Sequence, residues 1–315
     1  MRIAAFDFGS NALKCLVCET EGQDFSILAE GRLSTRLGSA ITPTGTLPEE
    51  SIIQTLESCK QLLADYCKPH GVQLYLAAGT QALRLAKNAA DLRTRLFQQT
   101  GIQLQIVSAE TEARLTWLGA MQHQKGILAL IDSGGASTEI SFGSDSRIAK
   151  VISLPLGAVN LTKGFLKNDP PTEHEISLLR GFINESLPDL PHFAGKLIGS
   201  GGGITACAKV ALGTLNTNNE KLQGYRLDQA ELLRQERLYL SLPLTERRAI
   251  QGLEPERADI ITAFCVLLVI LMREFKAKYI QVSTGGLRQG LICEFLQPET
   301  SPPKALAKSG SNHIS

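Results

Sequence analysis

Two segments of the sequence share one pattern, an apolar run that ends in Asp-x-Gly and continues with small hydroxyl or amide residues. They are residues 5–12 and 130–139. Each apolar run predicts a strand. The glycines after it let the backbone approach a ligand closely, and the N–H groups of such a turn form a nest for anions. A carboxylate delivered into this turn suits a phosphate chain that carries a metal ion. Two such turns predict two similar domains that hold a phosphoryl compound in a cleft between them.

The composition is typical of a globular chain with room for two domains. The 315 residues allow each domain to bury its own core. Hydrophobic residues make up 43%, charged residues 20%, and the formal net charge is +1. A charge this close to zero creates no global field for nucleic acid or for an anionic membrane. We therefore expect no nucleic-acid partner and no membrane partner, and any polyanion site has to be local.

The apolar segments are too short for targeting or for membrane insertion. The apolar start of the chain reaches Asp7 too soon to form the core of a signal peptide. The longest apolar run, residues 260–272, is shorter than a bilayer span and predicts a buried helix. The sequence thus predicts a cytoplasmic protein.

Seven cysteines follow no disulfide framework, and five histidines show no metal-ligand spacing. Cys15 and Cys18 have the C-x-x-C separation of a redox or zinc pair. They lie in a predicted strand, however, where residues three apart face opposite sides of the sheet. The interpretation as buried thiols is therefore favoured over shared metal ligation.

Predicted strands and helices recur in the same order in both halves of the chain. In the first half, strands are predicted at residues 3–7, 12–19, 25–32, 72–77 and 104–107, and helices at 49–66, 81–98 and 109–122. In the second half, strands are predicted at 127–132, 140–142, 148–152, 196–200 and 280–283, and helices at 173–187, from 205, 229–240, 244–251 and 255–275. Three strands, a helix, a strand and a helix is the order of a ribonuclease-H-like domain. The predicted α/β domains are 1–123 and 124–296, with 297–315 as a mobile tail or short return segment.

Three further motifs have both a functional and an ordinary interpretation. Arg84, one turn into a predicted helix, could bind a phosphate with two N–H groups, although its position alone favours a surface charge. Glu112 could be a base near a buried face, or it could simply complement the helix dipole. The glycines at 199–203 match neither a dinucleotide fingerprint nor a Walker loop, so a tight turn and a phosphate site remain equally open.

Taken in order, these motifs resemble the exopolyphosphatase/guanosine pentaphosphate phosphohydrolase family. The segments that carry the resemblance are 7–11, 79–84 with Asn88, 108–115 with Gly119, 132–139, 153–159, 199–203, 255–259 and 283–290. It extends over residues 3–292 and implies the short form of the family. The implied fold is that of the actin-like ATPase superfamily, to which sugar kinases belong, with two ribonuclease-H-like domains and an interdomain cleft.

The resemblance also implies roles for individual residues. Glu112 corresponds to the general base, Arg84 to an arginine that contacts phosphate, and Glu139 to an acidic residue near the metal and the water. Asp132 and Asp7 correspond to the metal-binding carboxylates, with Mg²⁺ as the expected cofactor. The expected phosphate-binding residues are Gly9, Ser10, Asn11, Gly134, Gly135, Ser137, Gly201 and Gly202.

The chain departs from the family pattern at a few positions in the two turns. Ala136 replaces the third glycine of a triple, and Ser133 replaces an aliphatic residue. Ala12 and Lys14 stand where Ser and Arg are common. Ala136 requires a negative φ, because alanine at positive φ is strained. The carboxylates and Arg84 are retained, so the resemblance still implies an active enzyme.

The implied reaction is release of the terminal phosphate from inorganic polyphosphate. Guanosine pentaphosphate (pppGpp) is the alternative substrate, and the resemblance is compatible with a homodimer. A long polyanion needs a basic path, for which Lys14, Arg32, Arg36, Arg257 and Arg288 are candidates. A sugar or acetate kinase would share the paired turns, but the Glu112 motif favours water as the acceptor. The intact carboxylates argue against a non-catalytic alarmone sensor.

Overall fold

The computed structural model describes residues 1–122, 124–144, 147–191, 193–216 and 219–297, excluding the side chains of 219 and 220. The chain divides into two compact units. One contains Met1–Gly119 together with the described residues from Leu287 onward, and the other is Ala120–Gly286.

The first unit is built on a five-stranded sheet. Its strands are β1 (Arg2–Phe8), β2 (Ala12–Glu21), β3 (Asp24–Ser34), β4 (Leu74–Gly79) and β5 (Leu104–Ile106). Its helices are α1 (Leu37–Ala40), α2 (Glu49–Leu62, continued by a π-helical turn at Leu63–Cys67), α3 (Gln81–Leu85), α4 (Ala89–Thr100) and α5 (Ala109–Met121). The strand order is β3-β2-β1-β4-β5, with an antiparallel meander on one side of β1 and parallel strands on the other.

The second unit repeats this order around a six-stranded sheet. Its strands are β6 (Ile127–Ser133), β7 (Thr138–Ser144), β8 (Arg147–Leu154), β9 (Lys196–Ser200), β10 (Arg226–Asp228) and β11 (Tyr279–Val282). Its helices are α6 (Ala158–Phe165), α7 (Glu173–Ser186), α8 (Gly202–Leu212), α9 (Asn219–Leu222), α10 (Gln229–Ser241), α11 (Leu244–Arg247) and α12 (Ile261–Glu274). The order β8-β7-β6-β9-β11 matches that of the first unit, and β10 adds an antiparallel edge. The predicted α/β repeat is therefore present.

The alternation of side chains along the strands divides the first unit into two cores. In β1, Phe6 and Phe8 pack in one core, whereas Ile3 and Ala5 pack in the other. The same alternation separates the C-x-x-C pair on β2. Cys15 lies in the first core and Cys18 in the second, because residues three apart on a strand face opposite sides. This confirms the expectation that the two thiols are buried and face apart.

The last helix, α13 (Leu287–Leu296), belongs to the first unit rather than the second. The predicted boundary at 296 is therefore wrong for this helix. Its buried residues Leu287, Leu291 and Ile292 complete the core that contains Ile3 and Ala5. Burial of this apolar face, which is decided by long-range contacts, returns the chain to its first unit. The predicted tail lies outside the described residues after position 297.

Arg288 fastens this helix to the first sheet. Its Nη1 donates to the backbone carbonyl of Cys15 at 2.8 Å, and its Nη2 pairs with Glu30 at 3.1 Å. Only 16% of its side chain is exposed. Arg288 therefore has a structural role, and its place on a basic path stays a prediction.

Two helices predicted as continuous are interrupted. The segment 81–98 is split into α3 and α4, because the Asn88 side chain binds both backbone groups of Leu47, at 2.8 and 2.9 Å. An amide used in this way stabilises a break in the helix. The segment 255–275 begins with a 3₁₀ turn at Pro255–Arg257, and α12 starts only at Ile261. None of the helices in the described ranges combines the length and apolar character needed to cross a membrane.

Candidate active site

The first Asp-x-Gly turn joins β1 to β2. The N–H of Gly9 donates to the carbonyl of Ala12 at 3.2 Å and closes the turn. The carbonyls of Ser10 and Asn11 accept N–H groups from the segment around α1, at 2.8 and 3.0 Å. These two carbonyls are therefore already bound and do not compete for a ligand, and an anion-binding nest uses the N–H groups of such a turn instead.

The second turn joins β6 to β7 and has the same construction. The N–H of Gly134 donates to the carbonyl of Ser137 at 2.9 Å. The carbonyls of Gly134 and Gly135 accept the first two N–H groups of α6, at 3.1 and 2.7 Å, and the Asn160 side chain donates to the carbonyl of Ala136 at 2.9 Å. In each turn, backbone carbonyls are thus hydrogen-bonded to a neighbouring segment of the same unit.

Ala136 is accommodated in this turn without backbone strain. Among the described residues, the non-glycine residues with positive φ are Arg36 and Lys276, so Ala136 has an ordinary φ. The steric requirement falls on Gly157 instead, where a Cβ atom would lie 2.3 Å from backbone atoms of Ala136. The concern raised by the missing third glycine is therefore resolved.

Four polar residues stand side by side across the second sheet. Strand register pairs Ser200 with Asp132, Asp132 with Glu139, and Glu139 with Ser153. Residues paired in this way project from the same face of a sheet. Ser153 Oγ donates to Glu139 Oε1 at 2.9 Å, and Glu139 is 3% exposed. The two predicted carboxylates of this unit are therefore neighbours, and a hydroxyl orients one of them.

The glycine loop before α8 lies against Asp132. Gly201 has a φ of 102°, and a Cβ there would be 3.2 Å from Asp132 Oδ1. At Gly202 a Cβ would lie 2.0 Å from Arg257 Nη2, so a buried guanidinium covers the first turn of the helix. Arg257 Nε also donates to Glu254 Oε2 at 2.6 Å. The start of α8 and a cationic group thus adjoin the turn that carries Asp132, an arrangement that favours anions.

Asp7 is buried at the end of β1 and forms an ion pair. Its Oδ2 lies 2.9 Å from Lys14 Nζ, directly across the strand pair, and Asp7 is 7% exposed. Lys14, one of the departures from the family pattern, therefore neutralises this carboxylate. The contact was not foreseen, although the antiparallel register that a tight hairpin imposes could have indicated it.

Arg84 and Glu112, two of the predicted site residues, form an ion pair in the first unit. Arg84 Nη1 lies 2.6 Å from Glu112 Oε2 and also donates to the carbonyl of Val107 at 2.9 Å. Glu112 lies in the first turn of α5, where the hydroxyl of Ser108 accepts the N–H of Thr111 at 3.2 Å, as a capped helix start requires. The predicted base and the predicted phosphate contact are thus bound to each other.

The sequence matches one protein family along most of its length. The model of the Ppx/GppA phosphatase family matches residues 16–299. The chain belongs to the Ppx/GppA phosphatase family. Exopolyphosphatase 1 of Mycobacterium tuberculosis is 28% identical over all of this chain and 94% of its own length. The corresponding protein of Mycobacterium leprae is 27% identical over 95% of this chain and 91% of its own length.

A solved structure of the family has the same architecture. The crystal structure of the Aquifex aeolicus Ppx/GppA family member aligns with a TM-score of 0.81 at 30% identity, over 96% of this chain and 99% of that chain. The predicted membership of this family and the actin-like ATPase fold are confirmed, and so is the prediction of an enzyme that acts as a phosphatase. The cytoplasmic location and the homodimer stay predictions.

The donor set of this Ppx/GppA member fits a magnesium ion. In the part of the chain that the structure describes, no three His, Cys, Asp or Glu side chains form a group that could hold a metal. Mg²⁺, however, is usually bound by one or two carboxylates together with substrate phosphate and water. Asp132 and Asp7 each place a carboxylate beside a turn rich in N–H groups, where phosphate oxygens could complete the coordination.

The predicted site residues fall into three groups within the two units. Asp7 shares the first turn with Gly9, Ser10 and Asn11, and Arg84 is joined to Glu112. The third group lies in the second unit. It consists of residues on the sheet, in the second turn and in the glycine loop before α8: Asp132, Gly134, Gly135, Ser137, Glu139, Gly201 and Gly202. Sequence reasoning missed the contacts of Ser153 and Arg257. Both lie in segments that carried the family resemblance, and that was the available signal.

Proposed function

We propose that this phosphatase releases the terminal phosphate of inorganic polyphosphate by in-line attack of water. The observation that carries the proposal is the pair of equivalent turns, 9–12 and 134–137. In each turn two successive carbonyls, those of residues 10 and 11 and those of residues 134 and 135, accept N–H groups from a neighbouring segment. Turns of this construction bind the oxygens of a phosphate chain through backbone N–H groups. The mycobacterial relatives named exopolyphosphatase, which match nearly the whole chain, support polyphosphate as the substrate class.

Glu112 is the group that we assign to the water molecule. Its side chain is 13% exposed and its carboxylate is held by Arg84, so it combines a fixed orientation with partial access. A positioned carboxylate can accept a proton from water as it attacks the phosphorus atom. Phosphoryl transfer depends mainly on positioning and electrostatics, so orientation of the nucleophile is a large part of the catalysis.

Mg²⁺ is the metal that we propose. The carboxylates that we propose as metal ligands are Asp132 in the second unit and Asp7 in the first. When bound, the metal would neutralise charge on the phosphoryl oxygens. Glu139 lies beside Asp132 in the sheet, and the hydroxyl of Ser153 fixes its carboxylate. Held in this way, Glu139 would orient a water molecule near the metal. Gly201, Gly202 and Arg257 add a positive environment for a further phosphate of the same substrate.

The replacement Glu112→Gln tests the assignment of the base. We expect the variant to bind polyphosphate normally but to release phosphate roughly 10²–10⁴-fold more slowly, because the amide cannot accept the proton. Phosphate release in the presence of Mg²⁺ should be measured with long-chain polyphosphate, guanosine pentaphosphate and ATP. The matched control is Glu110→Gln, which changes an exposed carboxylate in the same helical turn.

The outcome distinguishes the candidate substrates. Release from polyphosphate that is lost in Glu112→Gln and kept in Glu110→Gln would support both the substrate and the base. Release from guanosine pentaphosphate alone would replace polyphosphate as the substrate. A Glu112→Gln variant that turns over at the normal rate would remove Glu112 from the mechanism.

A further inference from the structure

We infer that Arg84 is a positioning residue, which acts on the reaction by holding the carboxylate of Glu112 rather than by binding the phosphate. This inference rests on the proposed function, because it gives Arg84 a task in the same hydrolysis. It also differs from the role that the family resemblance implies for this arginine, which is direct contact with phosphate.

The contacts of Arg84 within its own unit point to this role. One nitrogen, Nη1, donates to the Val107 carbonyl at 2.9 Å and to Glu112 Oε2 at 2.6 Å. Both acceptors lie on the segment that leaves β5 and begins α5. A single charged nitrogen that donates to both a backbone carbonyl and a side-chain carboxylate holds these two acceptors close together.

The backbone beneath Glu112 is held in the same way. The N–H of Val107 donates to the carbonyl of Gly79 at 3.0 Å, and its carbonyl accepts Arg84. The segment is thus anchored to the end of β4 by one group and to α3 by the other. The N–H of Glu112 then donates to the carbonyl of Ser108 at 2.9 Å. The backbone of Glu112 is therefore hydrogen-bonded to the anchored segment that precedes α5.

Burial makes the ion pair effective in orienting the base. The side chains of Arg84 and Glu112 are 21% and 13% exposed, so water screens their attraction only partly. A glutamate side chain otherwise samples many rotamers, and a short charge-assisted hydrogen bond restricts them. The carboxylate is therefore held in one orientation before substrate arrives, as a base that must align a water molecule requires.

The two roles of Arg84 predict different kinetics. An arginine that binds phosphate contributes to substrate binding whether or not Glu112 is present. An arginine that positions Glu112 contributes only through that carboxylate, so its loss changes nothing further once the carboxylate has become an amide. Residues that act as one unit show this non-additivity in kinetics.

A double-mutant cycle of Arg84→Met and Glu112→Gln separates the two roles. In the full-length protein with Mg²⁺ and polyphosphate, Arg84→Met should lower kcat about 10- to 100-fold, as misplacement of a catalytic group does. Its KM should stay within about threefold of the wild-type value. The double variant should be no slower than Glu112→Gln, and Arg84→Lys should recover part of kcat because an ammonium can still pair with the carboxylate.

Arg95→Met is the matched control, since Arg95 pairs with Glu49 at 2.8 Å elsewhere in the same unit. It should leave kcat and KM unchanged, and circular dichroism should show that all the variants are folded. A rise in KM at unchanged kcat, or a further tenfold loss in the Glu112→Gln background, would overturn the positioning role. A Glu112→Gln variant with normal turnover would instead overturn the assignment of the base in the proposed function, so the two failures are distinguishable.

Discussion

At the scale of single residues, the second sheet shows how a buried carboxylate is oriented. Glu139 is almost fully buried, and such a group requires hydrogen-bond partners. Ser153, directly across the strand pair, supplies one of them at 2.9 Å. Hydrogen bonds to charged groups contribute about 1.5–3 kcal/mol, so this hydroxyl is expected to matter for the position of Glu139.

Replacement of Ser153 by alanine is therefore expected to lower kcat about tenfold, because a bond of about 1.4 kcal/mol corresponds to a factor of ten in rate. KM for polyphosphate should change little, since Glu139 is not assigned to substrate binding. Steady-state phosphate release checks this. Ser153→Thr keeps the hydroxyl and should recover most of the rate, whereas an alanine variant with wild-type kcat would contradict the proposed orientation.

At the scale of elements, Glu254 links α8 to the 3₁₀ turn that carries Arg257. Its carboxylate receives Lys209 of α8 at 2.9 Å and Arg257 at 2.6 Å. Burial alone would raise the pKa of Glu254, but Arg257 and Lys209 outweigh it and hold the pKa at about 2. This linkage keeps the Arg257 guanidinium over the start of α8, where it contributes to the positive electrostatic environment of the glycine loop.

The substitution Glu254→Gln should therefore reduce the free energy of unfolding by about 1–3 kcal/mol at neutral pH. The folded pKa lies below the unfolded one, so the contribution is complete above about pH 5 and is lost as the pH falls toward 2. Urea unfolding of wild type and variant at pH 7, 5 and 3 measures the difference. A difference that does not shrink at pH 3 would contradict this account, and Glu256→Gln, at the exposed neighbouring position, serves as the control.

At the scale of the whole molecule, the chain closes its first unit only with its last described helix. Leu287, Leu291 and Ile292 fill the core beside Ile3, and a Cβ at Gly290 would lie 1.8 Å from the backbone oxygen of Leu115. The backbones of helices α13 and α5 are thus in close contact at this point. The unit that contains Glu112 therefore depends on residues at the opposite end of the sequence.

The change Gly290→Ala tests this dependence. The added methyl group cannot fit unless α13 moves away from α5, so we expect a loss of about 1–3 kcal/mol in the free energy of unfolding. Thermal melting by calorimetry measures it. Gly181→Ala is the control, because Gly181 lies in α7 with no atom near its missing side chain, and that variant should be stabilised by about 0.5–1 kcal/mol. Equal melting temperatures for the two variants would contradict the packing argument.

Some features of the protein could be predicted because the signals that determine them are local. An apolar run followed by Asp-x-Gly predicts a strand and a turn wherever it occurs, and two copies in a repeated order predicted the duplicated sheet. The opposite faces of Cys15 and Cys18 followed from the period of a strand. The glycines at 134 and 135 likewise indicated a turn before any contact was known.

Other features are set by contacts between residues far apart in sequence. The split between α3 and α4 requires Asn88 to meet Leu47, and the return of α13 requires apolar residues at 287–292 to meet the first strand. The pairing of Arg84 with Glu112 and of Asp7 with Lys14 depends on how neighbouring elements are placed. The sequence by itself determined most of the strands and the two Asp-x-Gly turns, since those depend on neighbouring residues. It did not indicate the edge strand β10, which forms by pairing with β11. The tertiary structure decided the partner of each charged group, because a buried charge takes whichever opposite charge the packed fold brings within reach.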